Sequence, residues 1–82
     1  MILISQDGLT TVKPEAVTIE STVKGKLWRI YAWAGGRSYP VSNLFMNREH
    51  LAAAYREIQA RMNGDSTYRL NLPDNEDGEA LR

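Results

Sequence analysis

The sequence contains no cysteine, a single histidine and a single phenylalanine, and it has no long apolar run. The first absence excludes disulfides, thiolate catalysis and cysteine-ligated zinc, and it fits a reducing compartment. One histidine excludes every metal motif built on two. No stretch approaches the roughly 18 apolar residues of a membrane span. The opening apolar run, Met1-Ile2-Leu3-Ile4, stops at Ser5 with no basic residue ahead of it, whereas a secretory signal needs a basic start and an apolar run of about 7–15 residues. A soluble, cytoplasmic protein with no membrane association is therefore expected.

Net charge is also missing: ten Lys/Arg balance ten Asp/Glu. The balance is uneven along the chain. Residues 1–72 hold nine of the basic and six of the acidic residues, a surplus of +3, whereas residues 73–82 hold Asp74, Glu76, Asp77 and Glu79 against Arg82 alone, −3. Such a division says more about partners than the sum does. At 82 residues one domain is the limit, with a stability of about 3–8 kcal/mol.

What is present is turn chemistry and alternation. Asp7-Gly8, Lys24-Gly25 and Gly35-Gly36 each place glycine where a two-residue hairpin needs a positive φ. They separate Ile2–Gln6 from Leu9–Val12, Ala16–Val23 from Lys26–Ala34, and the latter from Arg37–Phe45. Val17, Ile19 and Val23 alternate with Thr18, Glu20, Thr22 and Lys24, the period of a half-buried strand. In Leu27–Ala34 both faces are mostly apolar, with Trp28, Ile30, Ala32 and Ala34 opposite Leu27, Arg29, Tyr31 and Trp33. That pattern marks a central strand. Pro14 breaks the chain after the first hairpin, and Pro40 places its segment at an edge or a bulge.

The period then changes to 3.6. Asn47 suits an N-cap and Glu49 the first helical turn. Leu51, Ala54, Tyr55, Ile58 and Met62 form one stripe, and Asn63-Gly64 is a stop signal. Glu57 and Arg61 stand at i, i+4 as a surface ion pair. Beyond it, Tyr68, Leu70 and Leu72 alternate weakly, either as a sixth strand or as an extended return. The reading is an α+β domain over residues 1–72. It is an antiparallel meander sheet of five to six strands with one amphipathic C-terminal helix packed on it. Residues 73–82 follow as an acidic tail whose composition predicts disorder.

No constellation carries catalysis. His50 is the only group that titrates near neutrality unaided, but no nucleophile or second acid stands at a recognisable spacing. It reads as an exposed residue at a helix start. Glu15, Glu20, Glu49 and Glu57 read as solvated faces. Asp74-Asn75-Glu76-Asp77-Gly78 lacks the full spacing and flanking helices of a calcium loop. Gly35-Gly36-Arg37 follows a strand but opens no helix, so it is a turn rather than a phosphate loop. No catalytic residue, metal site or cofactor is expected.

Two binding patterns remain. One helix covers one sheet face, so Trp28 with Ile30, or Tyr31 with Trp33, is left uncovered as an interface for a protein partner or a second copy. Trp28, Arg29, Arg37 and Tyr39, with the tail carboxylates Asp74, Glu76, Asp77 and Glu79, are the candidate partner-binding residues. Alternatively Lys24, Lys26, Trp28, Arg29 and Arg37 interleave cations with an aromatic, as single-strand nucleic-acid binders do. A small sheet also needs aromatics for its core, which disfavours nucleic acid.

The opening Met1-Ile2-Leu3-Ile4-Ser5-Gln6-Asp7, the strand containing Arg29-Ile30-Tyr31-Ala32 and the helix over Glu49–Met62 resemble a group of short phage and prophage proteins of Gram-positive bacteria. The resemblance is firm over about the first 12 residues and general over residues 13–62. Low lysine content, with more Ala, Arg and Gly than the group usually has, points to a GC-rich host. No functional residue carries over from the group. The resemblance implies a phage or mobile-element origin, hence a host-cell cytoplasmic protein that acts by binding. An inhibitor of host defence, of the anti-CRISPR kind, is one form of this, with the acidic tail imitating nucleic-acid phosphates. A small virion or tail-assembly component is another, and it would oligomerise.

Overall fold

A computed structural model describes residues 1–22 and 24–72. The acidic tail, with Asp74, Glu76, Asp77 and Glu79, lies outside the described residues. The elements run β1 (Ile2–Ile4), β2 (Thr11–Val12), β3 (Ala16–Ser21), β4 (Trp28–Ala34), β5 (Arg37–Pro40), α1 (Glu49–Arg61) and β6 (Thr67–Arg69). The domain is α+β, as expected. Its strands, however, form two three-stranded sheets in the orders β2-β1-β6 and β3-β4-β5, not one meander of five or six.

The division falls at Lys13-Pro14-Glu15. Pro14 has no N–H to offer a ladder, and the chain leaves β2 to start a new sheet there. The β3–β4–β5 sheet is the antiparallel meander that the alternation predicts, with Thr18 opposite Tyr31, Glu20 opposite Arg29, and Tyr31 opposite Pro40. Gly35 and Gly36 turn β4 into β5 with φ of 59° and 78°, the paired left-handed conformation of a tight hairpin that side-chain-bearing residues resist. β5 ends at Pro40, and Phe45 returns to Trp28 as an isolated bridge. Between them the buried Ser42 hydroxyl accepts the Ile30 N–H at 2.9 Å. A side chain thus replaces the missing ladder rung.

β6 is a strand, and it pairs parallel to β1, with Leu3 opposite Tyr68. A parallel pair needs a long crossover, which the intervening sheet and α1 provide. The two sheets are tied where Gln6 donates its N–H to Val41 O at 2.8 Å and accepts the Asn43 N–H at Oε1, also at 2.8 Å.

α1 begins as the sequence predicts. Asn47 Oδ1 accepts the Glu49 N–H at 2.9 Å, and Arg48 already has helical dihedrals, so Asn47 caps the first turn. Leu51, Ala54 and Ile58 are the buried stripe. They share one core with Leu3, Val17, Ile30, Ala32, Val41, Phe45 and Leu70. Ala32 and Ala54 are the small buried residues of that core. No helix among the described residues is long and apolar enough to cross a membrane.

Candidate interaction surface

Strand register decides which side chains of β4 face the helix. Paired residues share a sheet face and neighbours along a strand alternate. Ile30 and Ala32 are fully buried and belong to the core. Arg29, Tyr31 and Trp33 therefore stand on the opposite, outer face of the β3–β4–β5 sheet, with Ala16, Thr18 and Glu20 from β3 and Ser38 and Pro40 from β5. Trp28, Ala34 and Tyr39 pack against the core from the inner side. Tyr31 and Trp33 are half-buried and take no part in that packing.

The outer face is ordered by hydrogen bonds. Trp33 Nε1–H donates to Thr18 Oγ1 at 3.0 Å, and the Thr18 hydroxyl donates to Glu20 Oε2 at 2.7 Å. Directions agree along this chain, since the indole can only donate and the carboxylate only accepts. It ties the indole across β3 on a diagonal pair. Arg29, opposite Glu20, is partly exposed, yet its Nε is buried and has no hydrogen-bond partner. An unpaired buried donor costs about 1–3 kcal/mol, an unusual expense for a residue that serves only the fold.

The described residues singled out in the sequence do not converge. Arg29 alone lies on the outer face. Trp28 is on the inner side, where the Arg48 guanidinium sits 5.6 Å from its ring centroid, and Tyr39 packs on the core. Arg37 is exposed beside the β4–β5 turn, paired with Ala34. Lys24 and Lys26 are exposed in the β3–β4 turn, at the other end of the sheet. The five residues of the nucleic-acid pattern are thus spread over two faces and both ends. His50 is exposed and meets Phe45 edge-on at 5.8 Å. Among the described residues no three His, Asp or Glu side chains cluster as metal ligands would.

Of the two pairs that the sequence leaves open, Tyr31 with Trp33 is the one on the uncovered face, and Thr18 and Glu20 join it there. Their signal was available. The polar alternation of β3, carried through the Lys24-Gly25 turn, sets Thr18 and Glu20 beside Tyr31 and Arg29, which marks that face of β4 as the outward one.

No protein family, curated protein or solved structure matches the chain, so the functional reading rests on the surface itself.

Proposed function

We propose that this chain is a non-enzymatic binding protein of phage or mobile-element type, and that it docks a protein partner on the outer face of the β3–β4–β5 sheet. The observation that carries this reading is the position of Tyr31 and Trp33. Two large aromatics stand outside the core on the face α1 leaves uncovered, with a guanidinium beside them. Aromatics and arginine are the residues that dominate binding energy at protein interfaces, and on a domain this small they are not spent idly on the surface. The arrangement suits a partner that offers apolar area to the rings and a carboxylate to Arg29. Blocking a host protein by occupying its surface, as an inhibitor of host defence does, needs nothing more.

The test is affinity capture from a lysate of a GC-rich Gram-positive bacterium, with the wild-type chain beside a Tyr31→Ser/Trp33→Ser variant of unchanged far-UV circular dichroism. The expected result is a protein retained by the wild type and lost from the variant. A captured protein that both hold equally contradicts the assignment of this face.

A further inference from the structure

The β3–β4–β5 sheet has two edges of different character. β5 is interrupted by Pro40, and its continuation at Val41 is bonded to Gln6. β3 is six residues long, Ala16-Val17-Thr18-Ile19-Glu20-Ser21, with neither proline nor lysine to blunt it. Its backbone orientation follows from its neighbours. Val41 N donates to Ile30 O, and Phe45 exchanges two bonds with Trp28, so Trp28 and Ile30 turn their backbone groups toward the β5 side. Arg29, Tyr31 and Trp33 then face β3, and their partners Glu20, Thr18 and Ala16 face back. The N–H and C=O groups of Val17, Ile19 and Ser21 point off the sheet, and no described strand pairs with them.

This edge opens into a groove of about 390 Å³ between β3 and α1. Thr18 and Ile19 line it from the strand, and Arg48, Glu49, Ala52, Tyr55 and Arg56 from the helix. Glu49 and Arg56 are both exposed, and neither side chain has an ion-pair partner among the described residues. They lie seven residues apart, two turns on one flank of α1, with the small Ala52 and Ala53 between them.

We propose that two copies of this chain associate through the β3 edge and this flank of α1 as a twofold dimer, joining their sheets into one of six antiparallel strands. Centred on Ile19, antiparallel β3–β3 pairing sets Ile19 against Ile19 and Val17 against Ser21 of the second copy. All of these are residues whose backbone groups point outward. Thr18 falls opposite Glu20, and no like charges meet. Ile19 and Ala52 line the same groove and Arg48 is held over its own Trp28 ring, so the axis that pairs the strands also relates the helices about the step from Ala52 to Ala53. It brings Glu49 of each copy to Arg56 of the other. An isologous interface must be self-complementary in this way, and here both the strand and the helix are. The dimer meets at the edge of the sheet, with Thr18 and Glu20 at its margin, and leaves Arg29, Tyr31 and Trp33 of the central strand open on both copies.

The test is light scattering on the full chain across micromolar to millimolar concentration. The wild type is expected to shift from monomer to dimer. Arg56→Glu sets like charges together twice and should weaken association about tenfold or more, and Glu49→Arg/Arg56→Glu should restore it. Ser21→Pro deletes an outward N–H that makes no bond to β4, so it should abolish the dimer while leaving the far-UV circular dichroism unchanged. A wild type that stays monomeric overturns the proposal. So does an Arg56→Glu or Ser21→Pro variant that dimerises as well as the wild type, or a double charge swap that fails to restore association.

Discussion

Trp33 and Thr18 are joined across two strands, indole Nε1–H to hydroxyl at 3.0 Å, on the sheet face turned away from α1 and the core. Thr18 passes the chain on to Glu20. Thr18→Val keeps the shape and β-propensity but removes both bonds. It should cost about 1 kcal/mol, or about 4–8 °C in Tm for a domain of this size. Thr18→Ser should retain most of that stability. Thermal melts of the two variants make the comparison.

Arg29 should show the opposite balance. Its buried, unpaired Nε weakens the fold, while its stem covers apolar surface. Arg29→Met keeps the stem and removes the stranded donor. Denaturant unfolding should show a gain of about 1 kcal/mol, and binding of the captured partner should weaken. Stability gained at the expense of binding marks a residue kept for function.

Asp7 sets the acid limit of one turn. Its carboxylate accepts the hydroxyl of the fully buried Ser5 at 2.6 Å and the Leu9 N–H at 3.0 Å. These bonds, the first above all, hold its pKa below the ordinary aspartate value of 3.8, with a smaller contribution from Arg69. A pKa lowered by folding stabilises the native state above the unfolded value, and that contribution disappears as pH falls through the folded one. Unfolding midpoints should therefore drop as pH is lowered below about 4. The acid limb should be shallower for Asp7→Asn, which cannot titrate.

The turn that carries Asp7 is tight at Gly8 as well. Its φ is +77°, and a Cβ there would stand 3.0 Å from the Arg69 guanidinium. Gly8→Ala incurs the left-handed penalty of about 1–2 kcal/mol and also displaces Arg69, so a clear loss of Tm is expected. Gly25→Ala has nothing within 4 Å and should show the backbone penalty alone.

Local signals in this chain were readable and distant ones were not. Asn47 and the Leu51, Ala54, Ile58 stripe define α1 within one window of sequence, and glycine pairs mark the hairpins. The parallel pairing of β1 with β6, Leu3 to Tyr68, joins residues far apart in sequence and leaves no local trace. The split into two sheets follows from it and from Pro14. The candidate residues Trp28, Arg29, Arg37 and Tyr39 do not share one face for a related reason. Trp28, Arg29, Tyr39 and the nearby cations are neighbours in sequence, but adjacent strand residues point to opposite faces. Trp28 and Tyr39 went to the inner side, and Tyr31 and Trp33 to the surface.

The central claim is that the outer face, not the scattered cations, meets the partner. The most direct test is the affinity of the captured partner for two variants, Tyr31→Ser/Trp33→Ser and Lys24→Ala/Lys26→Ala/Arg37→Ala. Loss of about tenfold or more in the first, with the second close to wild type, is the predicted result. A first variant that binds like the wild type while the second fails would contradict it.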